Sequence, residues 1–587
     1  MDVSSLRQRY DSLKGSPERA NMEAHCQEVA EYVSPRKIDF VGMRSPGDKR
    51  MQRVQDPTGI FSNELLAAGL HGMATNPAAK WFTLRMITGQ DFGSDGELID
   101  LNENADVRRF LSHVEDVMWS RLYEPGTNFT TALHETYLDL GAFGTAILYI
   151  GQRDDGGLLF ESRSLAECVI AENVDGRVDT VFRRSTYTVR QMMQMVQSGD
   201  WRSVSGRVKN LYDAKKYDDP VHVIHAVLPR SERDASKRDS KNMPFASVYF
   251  EHDGEHVLSE SGYPEFPYLC PRWSKYSSEV YGRSPAMTAL PDIKMLQSMM
   301  LVFLKTAQKN ADPVTWINDD GQMSQVRQVP GGINYLRGNP NDRVMLQPTS
   351  PQGLQAVATA MDGIRARIRT AFFTDEMQFV TDKQMTATEV MARTQERMRL
   401  LGPLMGRLES ELLGPMVARV FGILERMSVL PVAPEMLKDK DFTVEYVSPI
   451  ATAQRQQAAS GIMQVYQLLA PLGPEAAMQV MMKRVNPEKL VDWAWSLFNC
   501  DPDLLNDEAA QEQAGQMQNA MQAIQMGQPM AEIAHKGAGA MKQLADAQAG
   551  GGIDLNQAMS AYAGAVKSNP QAMSEAQAMM NGQQPQQ

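Results

Sequence analysis

PFASVYFEHDGEHVLSESGYPEFPYLCPRWSKYSSEVYGRSPAMTALPDIKMLQSMMLVFLKTAQKNADP (Pro244–Pro313) decides the architecture. It opens with two strand-like runs, 246–251 and 255–260, joined around Asp253-Gly254, a hairpin turn signal. After a loop rich in Pro, Tyr and Trp, Ser284-Pro285 supplies an N-cap hydroxyl and an N1 proline. A helical pattern then runs to Asn310, where Asp312-Pro313 stops it; Pro291 either kinks this helix early or marks its true start. At 1.5 Å per residue such a helix spans about 35–40 Å. One strut that long leaving a β-rich body is unusual in a compact enzyme and natural in the wall of a tube.

The segments on either side fit that strut. Ser350-Pro351 repeats the cap chemistry and starts a second helix, 352–372. Between the two helices lie short strands and turns around Pro330-Gly331-Gly332 and Gly338-Asn339-Pro340, with Asp319-Asp320 read as the turn of a solvated hairpin. Thr374–Thr386 is polar and without period. A long helix follows to about Ser428, its Leu401, Leu404, Leu408, Leu412, Met416 and Val420 forming one apolar stripe, with kinks expected at Gly402-Pro403 and Gly414-Pro415. Upstream, 5–13, 19–33, 59–73, 106–122 and 128–140 read as helices, and Gly141–Gly144 as the break into a strand at 145–150. Strand alternation follows at 157–161, 167–171, 178–184 and 221–228, with a helix at 188–198. Helices and strands are segregated, with no repeated βαβ units, which makes the class α+β and helix-rich.

At 587 residues the chain exceeds one hydrophobic core. No run reads as a transmembrane helix, and no charged-then-apolar leader opens the chain. Cys26, Cys168, Cys270 and Cys500 lie far apart and read as reduced structural thiols. His222 and His225 stand three apart on a strand, hence on opposite faces, which argues against a metal pair. The net charge of −12 excludes a broad basic grip on nucleic acid. It is unevenly spread: residues 285–372 carry nine Lys/Arg and six Asp, giving +3, and the remainder −15. From Gln511 to Gln587, Ala, Gln and Met supply 42 of 77 residues, too little apolar bulk for a core.

Chemistry is mostly missing. There is no GxxxxGK[ST] loop, GxSxG, HExxH or GxGxxG, so no catalytic residue, metal ligand or cofactor site is assigned, and the chain is not expected to be an enzyme. Asp319-Asp320 could offer hard oxygens to a cation, but no third carboxylate is near. Trp81, Trp273 and Trp316 read as packing or interface anchors. Arg365, Arg367 and Arg369, at spacing two, fan around a helix; at least two of them read as solvated or paired with acids of a neighbouring subunit.

The quoted segment, EVYGRSPAMTALPDIKMLQSMM above all, resembles the head-to-tail connector, or portal, proteins of podovirus-type bacteriophages. RQRYDSLKGSPERANMEAHCQEVAEYVSPR (Arg7–Arg36), DPTGIFSNELLAAGLHGMATNPAAKWFTLRM (Asp56–Met86), NFTTALHETYLDLGAFGTAILYI (Asn128–Ile150) and GRVDTVFRRSTYTVRQM (Gly176–Met192) continue the likeness. The stretches from Met385 to Pro431 and from Phe442 to Gln454 complete it, collinear over about the first 500 residues. The resemblance implies a subunit with wing (1–284 and 388–446), stem helices (285–312 and 351–373), clip (313–350), tunnel loop (374–387) and crown (447–506), then a tail (507–587). It further implies a ring of twelve copies at one capsid vertex of the virion, assembled in the host cytoplasm. Double-stranded DNA would pass through the channel without sequence specificity. The implied partners are the terminase large subunit, tail or adaptor proteins, and the major capsid and scaffolding proteins, with no membrane. DNA-channel candidates are Asp375, Glu376, Asp382 and Lys383, with Arg365, Arg367, Arg369, Lys305 and Lys309; partner-docking candidates are Asp319, Asp320, Arg327, Arg337 and Arg343. The rival readings are another virion structural protein (core or scaffold) and a metal-dependent nucleic-acid-processing enzyme.

Overall fold

The computed structural model describes residues 2–434, except for 319–328, 337–350 and 375–401 and shorter interruptions, chiefly at 42–46, 86–89, 93–97 and 101–104. The chain divides into two compact units, Met1–Pro502 and Asp503–Gln587, and all described residues belong to the first. The expected crown and tail therefore lie outside the described residues. In order, the elements are α1 (Val3–Lys14), α2 (Pro17–Tyr32), α3 (Thr58–Ala74), β1 (Gln90–Phe92), β2 (Leu98–Asp100), α4 (Ala105–Leu122) and α5 (Phe129–Phe143). Then come β3 (Ile147–Gln152), β4 (Leu158–Arg163), β5 (Cys168–Glu172), β6 (Val178–Thr188), α6 (Val189–Ser198), α7 (Gly206–Asp213), β7 (Pro220–Pro229), β8 (Phe245–Glu251), β9 (Val257–Tyr263) and β10 (Tyr268–Leu269). The last are α8 (Pro285–Ala311), β11 (Thr315–Asn318), β12 (Ile333–Leu336), α9 (Pro351–Ala371) and α10 (Gly414–Arg426). Helices and sheets are mixed but segregated, in agreement with the α+β expectation.

An antiparallel sheet ordered β5-β6-β7-β8-β9 is the largest β unit. Strand alternation decides what each face covers. Ile224, Ala226 and Leu228 of β7 pack with Val3, Leu6 and Tyr10 of α1, whereas Val221 and Val223 pack with Val189, Met192 and Val208 of α6 and α7. His225 follows on the second face, its Nδ1 3.0 Å from the Tyr268 hydroxyl and its Nε2 3.0 Å from Ser247 Oγ. Burial pushes its pKa down to about 3, so it is a neutral core histidine. His222, on the opposite face, lies 3.1 Å from Thr186 Oγ1. The smaller sheet β10-β3-β4 joins α2–α5, α8, α9 and α10 in the principal hydrophobic core.

Local chemistry explains where the elements differ from the sequence reading. Ser16 caps α2 through the Arg19 amide with Pro17 at N1, the same device that Ser284-Pro285 uses for α8. α5 runs through Gly141 and ends at Phe143, because Gly144 (φ +73°) supplies the left-handed C-cap. α7 was not expected; Ser205 caps it and donates its hydroxyl to Glu251 Oε2 (2.6 Å). Pro291 lies inside α8, so the helix starts at Pro285. β11 and β12 pair in parallel, whereas Asp319-Asp320, read as a hairpin turn, lies outside the described residues. Ahead of Gly414-Pro415 the helix widens into a π-turn over Glu409–Leu413, and the Gly414 amide reaches the Glu409 carbonyl. Pro415 has no N–H for Glu411, so the ladder bulges there and does not break.

The motif that carried the resemblance is a hub. Val280 donates its amide to Glu18 Oε1 (2.7 Å) and accepts from Arg272 Nη1 (3.2 Å). The Tyr281 hydroxyl accepts the Ile170 amide (3.3 Å), and the Arg19 guanidinium sits 5.1 Å from its ring centroid. The Gly282 amide donates to Thr145 Oγ1 (2.8 Å). Ser284 donates its hydroxyl to the Ala142 carbonyl (2.8 Å) while accepting the Met287 amide (3.0 Å). A Cβ on Gly282 would stand 2.3 Å from the Gly144 carbonyl oxygen.

The expectation that no run could cross a bilayer needs amending on one point. α8 has the length and mean hydropathy to do so, with 33% of the relevant stretch buried. Its first half is a core helix: Ala286, Met287, Ala289, Leu290, Ile293 and Leu296 all enter the principal core. Cys26, Cys168 and Cys270 are free and buried, and burial raises all three thiol pKa values. Elsewhere in the core, the buried Glu115 accepts the Leu84 amide (2.6 Å), and burial pushes its pKa up to about 7.

Two outcomes follow from these contacts. Gly282→Ala should destabilise the protein by about 2–3 kcal/mol in chemical denaturation, because backbone, not a flexible side chain, occupies the space. Glu115 binds its proton more tightly folded than unfolded, so its stabilising effect is lost as pH rises from 4.5 to about 7. Glu115→Gln should therefore raise the melting temperature at pH 8 and leave it nearly unchanged at pH 4.

Candidate functional site

α8 and α9 form an antiparallel pair: the early α8 residues Asp292 and Gln297 lie at the same level as the late α9 residues Arg365 and Arg367. α8 is about 40 Å long at 1.5 Å per residue over its 27 residues. Met361, Ile364 and Ile368 bury one stripe of α9 at spacings of three and four, and the buried Phe372 follows just past its end. Past Gln297 the character of α8 changes. Leu301, Val302 and Leu304 are exposed, Val302 by 62%, and so are Lys305 and Lys309.

A polar node fixes the level at which this neck leaves the body. Gln297 Oε1 accepts the amides of Gln55 (2.6 Å) and Asp56 (2.8 Å), and its Nε2 donates to the Asp56 carbonyl (2.8 Å). Asp56 Oδ1 accepts the Thr58 amide (2.9 Å) and hydroxyl at the start of α3. Its Oδ2 accepts Arg365 Nε (3.0 Å) and Nη2 (2.7 Å). Burial alone would raise the Asp56 pKa, but the Thr58 and Arg365 hydrogen bonds outweigh it and hold the carboxyl below its ordinary value. Asp56 thus ties together three helices, its carboxylate holding α3 and α9 and its backbone N–H and C=O holding α8.

The sequence-derived candidates separate accordingly. Arg365 divides its guanidinium between Asp56 and Asp362 (2.7 Å) of its own chain. Arg367 is exposed and reaches Asp292 (3.0 Å), also in its own chain. For these two, acidic partners are found within their own chain. Arg369, Lys305 and Lys309 are exposed along the neck. Asp319, Asp320, Arg327, Arg337, Arg343, Asp375, Glu376, Asp382 and Lys383 lie outside the described residues. Trp81 is a packing residue, its Nε1 3.1 Å from the Tyr123 hydroxyl; Trp273 packs beside Phe373 at 6.0 Å between ring centroids. Among the described residues no group of three or more His, Cys, Asp and Glu could hold a metal ion.

Asp56 and Gln297 escaped the sequence reading, although each leaves a trace. Asp56-Pro57-Thr58 has the form of a helix N-terminus with an acidic cap. Gln297 is a polar residue on the buried side of α8, one position after Leu296, where a bare amide would be costly without partners.

A structural scaffold is the class of protein to which such a long, half-exposed, firmly anchored helix pair points. The chain belongs to the family of bacteriophage head to tail connecting proteins, whose model matches residues 3–505, and it carries the phage portal function of that family. It is 32% identical over 536 residues to a probable portal protein of Bordetella phage BPP-1, covering 89% of this chain and 93% of that one. It is 28% identical to the portal protein of Salmonella phage epsilon15 (88% and 92% covered) and 22% identical to that of Escherichia phage T7 (96% and 97%). A virion component at the head-tail connector, with capsid and tail neighbours, is the setting that this membership gives it.

Asp56→Asn should cost about 1.5–3 kcal/mol, since it leaves Arg365 without its buried charge partner. Because the folded-state pKa of Asp56 is depressed, its contribution is present above the unfolded value of about 4 and is lost as pH falls through the folded value. Acid titration of the wild type and Asp56→Asn, followed by hydrogen exchange of 285–311, should show the difference in neck protection shrinking below about pH 4.

Proposed function

We propose that this chain closes with copies of itself into a ring at one capsid vertex, with α8 and α9 forming the neck of a central channel for double-stranded DNA. The observation that carries this reading is the exposed apolar face of the second half of α8. A helix that presents Leu301, Val302 and Leu304 to solvent in a single chain gains apolar contact only when neighbours stand beside it. Heterologous contacts that repeat around an axis generate such neighbours and close when the rotation permits; twelve copies is the number the resemblance implies.

On this reading the mechanism is mechanical. The body is acidic and the segment 285–372 mildly basic, so like-charge repulsion lets DNA slide while a few weak phosphate contacts keep it centred. Lys305, Lys309 and Arg369 are the exposed neck cations available for such contacts, each repeated once per subunit. Asp375, Glu376, Asp382 and Lys383 would belong to a loop at the narrowest point. The insert 313–350, with Asp319, Asp320, Arg327, Arg337 and Arg343, would meet the terminase large subunit during packaging and adaptor or tail proteins afterwards. Assembly would take place in the host cytoplasm with capsid and scaffolding proteins.

Native mass spectrometry of the purified chain, followed by negative-stain imaging, tests this. Closed rings of about twelve subunits with a central hole are expected. Val302→Asp should lower the ring fraction without altering the folded monomer's circular dichroism. A folded wild-type monomer or dimer at every salt concentration, even when co-expressed with its capsid proteins, would overturn the ring.

A further inference from the structure

α9 stops at a residue poorly suited to stopping a helix. Phe373 has φ +56°, in the left-handed region where a Cβ crowds the following carbonyl. Helices that end this way usually place glycine there, and sometimes asparagine. The local sequence, Ala371-Phe372-Phe373-Thr374, offers neither. Among the described residues the other non-glycine positions with positive φ are Asn128, Lys215 and Ser428, so the bulky aromatic at 373 stands apart. Such a backbone persists only where its surroundings hold it.

Two contacts do so. In an uninterrupted helix the Phe373 amide would donate to the Arg369 carbonyl, four residues back. Here it donates to Thr370 (3.0 Å), three back, and the Phe372 amide is shared between Ile368 and Arg369 (3.2 Å each). The Arg369 carbonyl also accepts the hydroxyl of the buried Thr374 (3.0 Å), a side chain standing in for the lost amide. The second contact is aromatic. The Phe373 ring lies beside Trp273, 6.0 Å between centroids, and both are half-buried against the principal core. Trp273 is itself fixed, because its amide donates to the Gly144 carbonyl (2.8 Å) and the preceding Arg272 amide to Glu411 Oε2 (2.8 Å).

We infer that Phe373 is a strained hinge at the end of the neck. Trp273 holds it left-handed and so stops α9 at Ala371. When that contact is released, Phe373 falls into the right-handed region, its amide returns to the Arg369 carbonyl, and α9 extends through Thr374. Residues 272–273 connect the hinge to the Gly144 end of α5 and to Glu411, so a shift of either is felt where the chain leaves α9. The inference concerns a single subunit and stands or fails independently of the ring proposed above.

Hydrogen exchange of the full-length protein, read by mass spectrometry on peptides that span 373 and 374, tests it. Phe373→Ala gives up the ring contact yet keeps a Cβ, so its backbone leaves the left-handed region. The amides at 373 and 374 should then exchange at least about tenfold more slowly than in the wild type, the size of the bias against a left-handed residue that carries a Cβ. Trp273→Ala should slow the same amides with Phe373 in place. Phe373→Gly gives up the same ring contact but tolerates positive φ, so its protection should stay at the wild-type level. Adding Trp273→Ala to Phe373→Gly should bring no further change. Equal protection in Phe373→Ala and Phe373→Gly would overturn the hinge, since handedness would then not matter. Faster exchange in a folded Trp273→Ala would make Trp273 a packing residue only and overturn it as well. The alanine–glycine comparison at 373 leaves Trp273 untouched, so it decides the matter alone if Trp273→Ala misfolds.

Discussion

The crossing of two backbones at Gly144 and Gly282 is the constraint on which the rest depends. There the end of α5 and the entry to α8 come so close that a Cβ on Gly282 would stand 2.3 Å from the Gly144 carbonyl. That approach puts Ser284 where one hydroxyl can cap α8 and donate to Ala142, so helix initiation and docking are a single event. It also brings Val280 and Tyr281 within reach of α2 and β5. Any enlargement at either glycine would separate these contacts together, because they share one rigid corner.

From that corner the neck is aimed by a second fixture twelve to thirteen residues along α8. The Asp56–Gln297–Arg365 node is worth more as alignment than as net stability, since a buried ion pair recovers only part of its desolvation cost. What it supplies is direction: an amide that fits two backbone groups and a carboxylate that takes two guanidinium nitrogens leave little freedom of rotation.

How much of this was legible follows from the range of each interaction. Ser284-Pro285 and the 221–228 alternation are local codes, and both elements stand where they were read, with His222 and His225 on opposite faces. α7 was missed because an eight-residue helix is decided by its tertiary contact between Ser205 and Glu251, not by periodicity. The parallel pairing of β11 with β12 was likewise invisible, since the pattern within a short strand says nothing about which strand it pairs with or in which direction. At the neck, the sequence offered three arginines and no means of ranking them. Asp56, which claims Arg365, is more than three hundred positions away. Charge partners at such separation can be read only after the chain has folded.

The ring proposed for this chain would repeat whatever angular error its subunit carries, and two separate anchors on the α8–α9 pair suit such an assembly. With the corner alone, a small angular freedom at Ser284 would be magnified along the roughly 40 Å of α8 into several ångströms at its far end. In a closed ring every subunit must present the same face to the next, so the tolerance for such spread is small. The node at Gln297 removes it at the level where α8 ceases to be core and its apolar residues become exposed. Beyond that level α9 covers one side of the helix, where Met299, Met300 and Phe303 are half-buried, and Leu301, Val302 and Leu304 face outward. Anchorage at the boundary lets that outward face be apolar enough to associate without requiring that association to set its direction.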